Sequence, residues 1–141
     1  MFFKYIFFFL LLIIDGITKY LATLDLFYFN YKIIWYQYAE NPGMSFGLLS
    51  YNKTFLIIIQ ILLLGIFLYY IIKNKIYNNG ALLILAGGMG NIIFRMIPNT
   101  NGKVIDFINL NNYFIFNLAD LFISTGVFLY CYNLLKRKSP K

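Results

Sequence analysis

Apolar residues run along this chain in four long blocks, and the polar residues that interrupt them fall at a few defined places. The first block, about residues 2–22, is broken only toward its end, by Asp15, Thr18 and Lys19. The second, about 54–72, has Gln60 as its one strongly polar member. The third, about 80–97, is glycine-rich in the middle and contains Asn91 and Arg95. The fourth, about 116–135, carries Asn117 and Asp120 in its first turn. A helix needs roughly 20 predominantly apolar residues to cross a bilayer. The pattern therefore predicts an all-α membrane protein: four transmembrane helices in a single domain, 1–141. The first block continues into Asp15 and Lys19 without an A-x-A pattern, so it reads as an uncleaved helix rather than a signal peptide.

Between the blocks lie two loops that share one side, residues 23–53 and 98–115. The longer loop is rich in Tyr and Phe and holds Trp35, as suits a segment at headgroup level. Its residues 31–39 are β-prone and bounded by Asn41-Pro42-Gly43, which predicts short strands or a small hairpin on the membrane surface. Asp106 falls in the shorter loop, between Ile105 and Phe107.

Charge orients the bundle. Lys4, Lys73, Lys75, Lys136, Arg137, Lys138 and Lys141 lie on one side with no acid among them, while the opposite loops and the helices balance. The formal net charge of +7 thus sits on one face, which the positive-inside rule assigns to the cytoplasm, with both termini. The basic tail is an anchor at that surface rather than a nucleic-acid binder.

Composition narrows the chemistry. Of the chain 61% is hydrophobic and 12% charged, against about 25% charged in a soluble domain, so neither a soluble globule nor a disordered chain fits. Histidine is absent and Cys131 is the only cysteine. That excludes zinc sites built on Cys and His, an internal disulfide, and Cys–His or Ser–His–Asp catalysis. Acid–base work falls to five acids: Asp15, Asp25, Glu40, Asp106 and Asp120.

Polar groups inside a span are costly and mark function by default. Asp15 and Lys19, four apart, share a helix face. Gly88, Asn91 and Arg95 form a stripe on the third helix, with Gly87 and Gly90 beside it to admit a close neighbour. Asn117, Asp120 and Ser124 repeat the spacing on the fourth. All three clusters fall toward the extracytoplasmic side. Plainer readings stand beside this one. Asn117 with Asp120 three residues on is also an N-cap with its acid; Asp15–Lys19 also reads as a structural ion pair; Asn41-Pro42-Gly43 also reads as a turn.

Five segments, in order, carry a resemblance: Asp15-Gly-Ile-Thr-Lys19; Asn41-Pro-Gly43-Met-Ser45-Phe-Gly47; Gly87-Gly-Met-Gly-Asn91-Ile-Ile-Phe94-Arg95; Val104-Ile-Asp106-Phe107; and Phe116-Asn117-Leu-Ala-Asp120. Along nearly its whole length the chain resembles the lipoprotein signal peptidases (signal peptidase II). The resemblance implies an aspartyl endopeptidase of the bacterial inner membrane, with its site toward the extracytoplasmic side. Such an enzyme removes the signal peptide from prolipoproteins, cutting before the diacylglyceryl-modified cysteine. It implies Asp106 and Asp120 as catalytic residues. Asn41, Gly43, Asn91, Arg95 and Asn117 would line or support the site, with Asp15 and Lys19 nearby. No cofactor or metal is implied; the partners are lipidated precursors and membrane lipids, and a monomer is expected. The chain departs from the family pattern at Phe94, where an acid is usual, at Ser45, where Ala is usual, and at Ala86, where Gly often stands. Two other readings share these residues: a family member disabled by Phe94 that only binds lipidated precursors, and a small proton or ion pathway.

Overall fold

The computed structural model describes residues 2–26, 28–43 and 52–138. Four helices are long and apolar enough to cross a membrane: α1 (Phe2–Thr23), α2 (Lys53–Lys73), α3 (Asn79–Met96) and α4 (Leu118–Lys138). Three strands lie between them: β1 (Ile34–Asn41), β2 (Val104–Leu110) and β3 (Phe114–Phe116). The part of the outer-loop motif that contains Ser45 lies outside the described residues.

Asparagine starts three of the helices. Asn52 accepts from the Phe55 N–H at 3.0 Å, and Asn78 from the Ala81 N–H at 2.8 Å. Each satisfies a donor that the first helical turn leaves without an intrahelical partner. Asn117 does the same for α4: its Oδ1 accepts from the Asp120 N–H at 3.1 Å, while Asp120 Oδ2 accepts from the Asn117 N–H at 3.2 Å. This reciprocal cap places the start of α4 at Leu118, two residues later than the hydrophobic pattern suggests, and leaves Phe116 in β3. α3 ends where Ile97 turns extended before Pro98, as the residue preceding a proline is pushed to do.

The helices pack through small residues. A Cβ at Gly80 would meet the backbone of Tyr130 at 2.6 Å, and one at Gly126 would meet the Gly80 carbonyl at 2.8 Å, so α3 and α4 touch backbone to backbone. Elsewhere the helices present Leu, Ile, Phe and Tyr outward, as lipid-facing surface must.

The sheet corrects the loop reading in two ways. β1 runs from Ile34 to Asn41 rather than 31–39. Within its own loop it makes only a small hairpin, an Asn30↔Trp35 bridge with the Tyr31 N–H donating to the Ile34 carbonyl and the Tyr36 N–H to the Phe29 carbonyl, both at 2.8 Å. Its main partner is a strand of the other loop. It pairs antiparallel with β2, from Ile34↔Leu110 to Asn41↔Val104, with an irregularity between Tyr36 and Ala39. Asp106 therefore lies in a strand rather than a loop. β3 adds to the other edge of β2 after a turn in which Asn111 and Asn112 both take positive φ, a conformation asparagine tolerates better than most residues. The sheet sits on the bundle through Ala22, Phe94, Ile105 and Phe107, all buried. The Tyr36 hydroxyl donates to the Ala22 carbonyl at 3.2 Å, tying β1 to the end of α1.

Candidate functional site

The polar residues of α1, α3 and α4 meet those of β1 and β2 where the sheet rests on the helices. Asp106 is buried, 3% exposed. Its neighbour Asn41 is carried by β1: Ala39 pairs with Asp106 and Asn41 with Val104, so both side chains fall on one face of the sheet two positions apart. Asn41 Nδ2 donates to Asp106 Oδ2 at 2.9 Å, and Asn117 Nδ2 donates to Oδ1 at 2.6 Å. Burial raises the Asp106 carboxyl to about 6, and the negative charge of Asp120 adds to the effect against these two hydrogen bonds.

Asp120 lies at the N-terminal turn of α4, half-buried, where the helix dipole favours a carboxylate. Asn91 Nδ2 donates to its Oδ1 at 2.9 Å, and its Oδ2 takes the capping bond from the Asn117 N–H. Each carboxylate oxygen of Asp106 and Asp120 thus accepts one bond from the protein, which leaves further lone pairs free for water or substrate. Asn117 joins the two acids, holding Asp106 with its side chain and Asp120 with its backbone. Asn117 thus caps the helix, as one sequence reading expects, and its amide also binds Asp106.

Behind the asparagines sits the ion pair. Lys19 Nζ donates to Asp15 Oδ2 at 2.7 Å and to Asn91 Oδ1 at 2.8 Å, and Asp15 Oδ1 accepts from the Ala119 N–H at 3.0 Å. The pair is buried, and every contact points inward, joining α1 to α3 and α4. Lys19 occupies the acceptor of Asn91 and so turns its amide donor toward Asp120. Gly90 makes room for this: a Cβ there would land on Asp15 Oδ2.

Arg95 does other work than its charge suggests. No carboxylate is within ion-pair distance of it among the described residues. Its guanidinium donates to the carbonyls of Asn41 at 3.1 Å, Gly102 at 2.7 Å and Gly43, gathering both sheet-side loops onto α3. The Asn41-Pro42-Gly43 segment is a turn as well, closed by the Gly43 N–H donating to Asn41 Oδ1 at 3.0 Å. Phe94 packs with Ala22, Ile105 and Phe107, and Lys19 Nζ stands 5.6 Å from its ring centroid.

A cavity of about 610 Å³ opens beside these residues, walled by Asn41, Gly43, Asn91, Arg95 and Asp120 on one side. Tyr113, Phe114 and Phe116 and the α4 residues Leu121 and Ile123 supply its apolar walls, and Gln60 reaches it from α2. Asp120 faces the cavity, and Asp106 lies behind it. All nine residues singled out from the sequence meet at this one end of the bundle. Sequence reasoning noted Gln60 as the lone polar residue of its span but gave it no role; that isolation was the available signal. It had no signal for the Ala119 N–H or the Gly102 carbonyl, which act through backbone.

A family described as "Signal peptidase (SPase) II" matches residues 7–136. The lipoprotein signal peptidase of Thermodesulfovibrio yellowstonii is 39% identical over 142 residues, covering 92% of each chain. That of Caldanaerobacter subterraneus is 34% identical over 131 residues, covering 86% of this chain and 88% of its own. Two solved structures of a bacterial membrane enzyme, both obtained by the in meso method, superpose closely. The one at 2.3 Å resolution has a TM-score of 0.85 and 30% identity, covering all of this chain and 94% of its own. The one at 1.9 Å has a TM-score of 0.81 and 31% identity, covering 96% and 94%.

Proposed function

The chain belongs to the signal peptidase II family, and on that premise we propose that it cleaves signal peptides from prolipoproteins, with Asp106 and Asp120 as its catalytic dyad. The observation that carries the reading is the pair itself: two carboxylates on β2 and α4, joined by Asn117 and beside a cavity. Hydrolysis without a metal or a protein nucleophile needs an activated water and a proton donor. Two close carboxylates that share one proton supply both, because like charges resist double ionisation.

Burial favours the proton on Asp106, and Asp120 faces the cavity where water and substrate enter. In this reading the ionised Asp120 takes a proton from water, whose oxygen bonds to the scissile carbonyl carbon. Asp106 gives its proton to the carbonyl oxygen. The tetrahedral centre then collapses: the C–N bond breaks, and the proton taken by Asp120 passes to the departing amine. A hydroxyl of the same centre returns its proton to Asp106 as the bond breaks, so the carboxyl product keeps the water oxygen and the dyad again holds one proton.

The setting fits a lipidated substrate. A signal peptide is an apolar helix in the bilayer, and its diacylglyceryl-cysteine keeps the acyl chains there. Both termini facing the cytoplasm put the sheet and dyad at the outer surface, where the bond before that cysteine lies. The apolar walls formed by Phe114, Phe116 and Ile123 suit lipid and signal peptide alike. Phe94 makes no hydrogen bond to the dyad, and the network around Asp106 and Asp120 closes without an acid at that position, which favours an active enzyme over a disabled binder.

The test is cleavage of a diacylglyceryl-modified prolipoprotein by the purified protein in detergent, read as a gel shift. The native chain is expected to release the signal peptide before the modified cysteine, and Asp106→Asn and Asp120→Asn to be inactive while folded. Full activity in either variant would overturn the dyad.

A further inference from the structure

The second helix brings one polar group to the cavity. α2 is otherwise apolar through its middle, yet Gln60 reaches the same space as Asp120 and Asn91. Its Oε1 is fully enclosed and has no hydrogen-bond partner among the described residues. An enclosed carbonyl without a donor is disfavoured; because Gln60 borders the cavity, a turn of its side chain exchanges that enclosed position for a partner arriving there from outside.

Depth identifies that partner. α2 begins at the sheet end of the bundle, where Lys53 lies against Gly102. Gln60 is about two turns, roughly 10 Å, along α2 from there. Asp120, in the first turn of α4, is closer to the sheet end; Ser124, one turn beyond it, borders the same cavity. Gln60 therefore lies on the membrane-interior side of the dyad. A signal peptide enters from the bilayer with its cleavage site outermost, so the residues just before the scissile bond pass at this depth.

These substrate residues have an unmet need. To present a peptide bond to the dyad the signal helix has to unwind near its end, and each unwound residue frees an N–H that loses its helical acceptor. No water in hydrocarbon replaces it. We infer that Gln60 is a substrate-positioning residue, whose amide oxygen accepts a backbone N–H of the signal peptide just before the scissile bond. The inference rests on the peptidase reading above and assigns its substrate contact on α2. It requires extended backbone rather than any particular side chain, so Gln60 aligns the peptide without selecting its sequence.

The experiment uses the full chain and a set of diacylglyceryl-modified prolipoprotein peptides. In each, one of the amides preceding the scissile bond is replaced by an ester, which removes one N–H. Native protein and Gln60→Met are compared, with Gln60→Leu in parallel, after melting curves establish that each variant folds. Gln60→Met is expected to lower kcat/KM about 10-fold on the all-amide peptide and to leave the pH profile unchanged. For one ester position the native enzyme loses a similar factor, and there the variant loses nothing more. Losses that multiply at every ester position, or a variant as active as the native chain, would overturn the role of Gln60. Failure of the native chain to cut the all-amide peptide would instead overturn the peptidase reading.

Discussion

Lys19 holds its ammonium 5.6 Å from the ring centroid of Phe94 while bonding Asp15 and Asn91. An aromatic ring thus stands beside a buried cation. The same ring fills the space between α1, α3 and β2 with Ala22, Ile105 and Phe107. Phe94→Leu is expected to keep most of the packing and lose the cation–ring attraction, about 1–2 kcal/mol. Phe94→Asp should cost more, since it removes apolar volume and buries a further carboxylate whose nearby cation, Lys19, is already paired with Asp15. Thermal unfolding in detergent orders the three proteins: native, then Leu, then Asp. An Asp variant more stable than the native chain would refute this account.

The pH dependence of stability follows from Asp106. Its carboxyl is raised to about 6 in the folded protein, against roughly 3.9 for an unfolded chain. Between these values the native state keeps a proton that the unfolded chain has lost. Stability therefore falls as pH rises from about 4 to about 6 and stays lower above. The shift corresponds to about 3 kcal/mol at most. The melting temperature of the native protein should decline across that window, and the decline should be smaller in Asp106→Asn. Infrared titration should also find the Asp106 carboxyl lower in Asp120→Asn, where the neighbouring charge is gone.

Asn117 allows its two roles to be separated. Asn117→Ser keeps a side-chain oxygen able to cap α4 but removes the amide that donates to Asp106 Oδ1. Its melting temperature should stay close to native while cleavage slows roughly 10- to 100-fold, the range for losing one hydrogen bond to a charged group. Asn117→Ala loses both and should cost a further ~1 kcal/mol of stability. Equal activity in Ser and native proteins would show that the bond to Asp106 is idle.

Arg95 and Lys are not equivalent here. The planar guanidinium reaches three carbonyls from two loops at once, which a single ammonium on a flexible stem is poorly shaped to do. In Arg95→Lys, amide hydrogen exchange should accelerate around Asn41–Gly43 and Gly102, with the helices unaffected. Unchanged exchange at these positions would mean that the loops hold themselves.

Gly90 and Gly65 make a matched pair. A Cβ at Gly90 would land on the Asp15 carboxylate, whereas one at Gly65 meets nothing. Gly90→Ala should break a buried ion pair, at about 3–5 kcal/mol, and Gly65→Ala should be neutral or stabilising. Similar melting temperatures for the two variants would contradict the packing described for Asp15.

The four helices were legible in the sequence because hydrocarbon thickness imposes a length and an apolar composition that few other structures share. The residues of the site were legible because Asp15, Lys19, Asn91, Arg95, Asn117 and Asp120 are conspicuous among apolar neighbours. The sheet was not. β1 and β2 are far apart in sequence, and β3 is three residues long, so no local pattern announces their pairing. Nor does sequence display backbone carbonyls, so the hold of Arg95 on Asn41, Gly43 and Gly102 had no signal in it.

The reach of Arg95 also bears on how the protein is made. A ribosome delivers α1, β1 and α2 before α3, so the turn at residues 41–43 enters the membrane surface before the arginine that clasps it exists. β1 waits still longer for its partner strand, and Asp120 arrives only with the final helix. Asp106 and Asp120 therefore come under one asparagine only after α4 has inserted beside α3, when Asn117 can hold the first with its side chain and the second with its backbone.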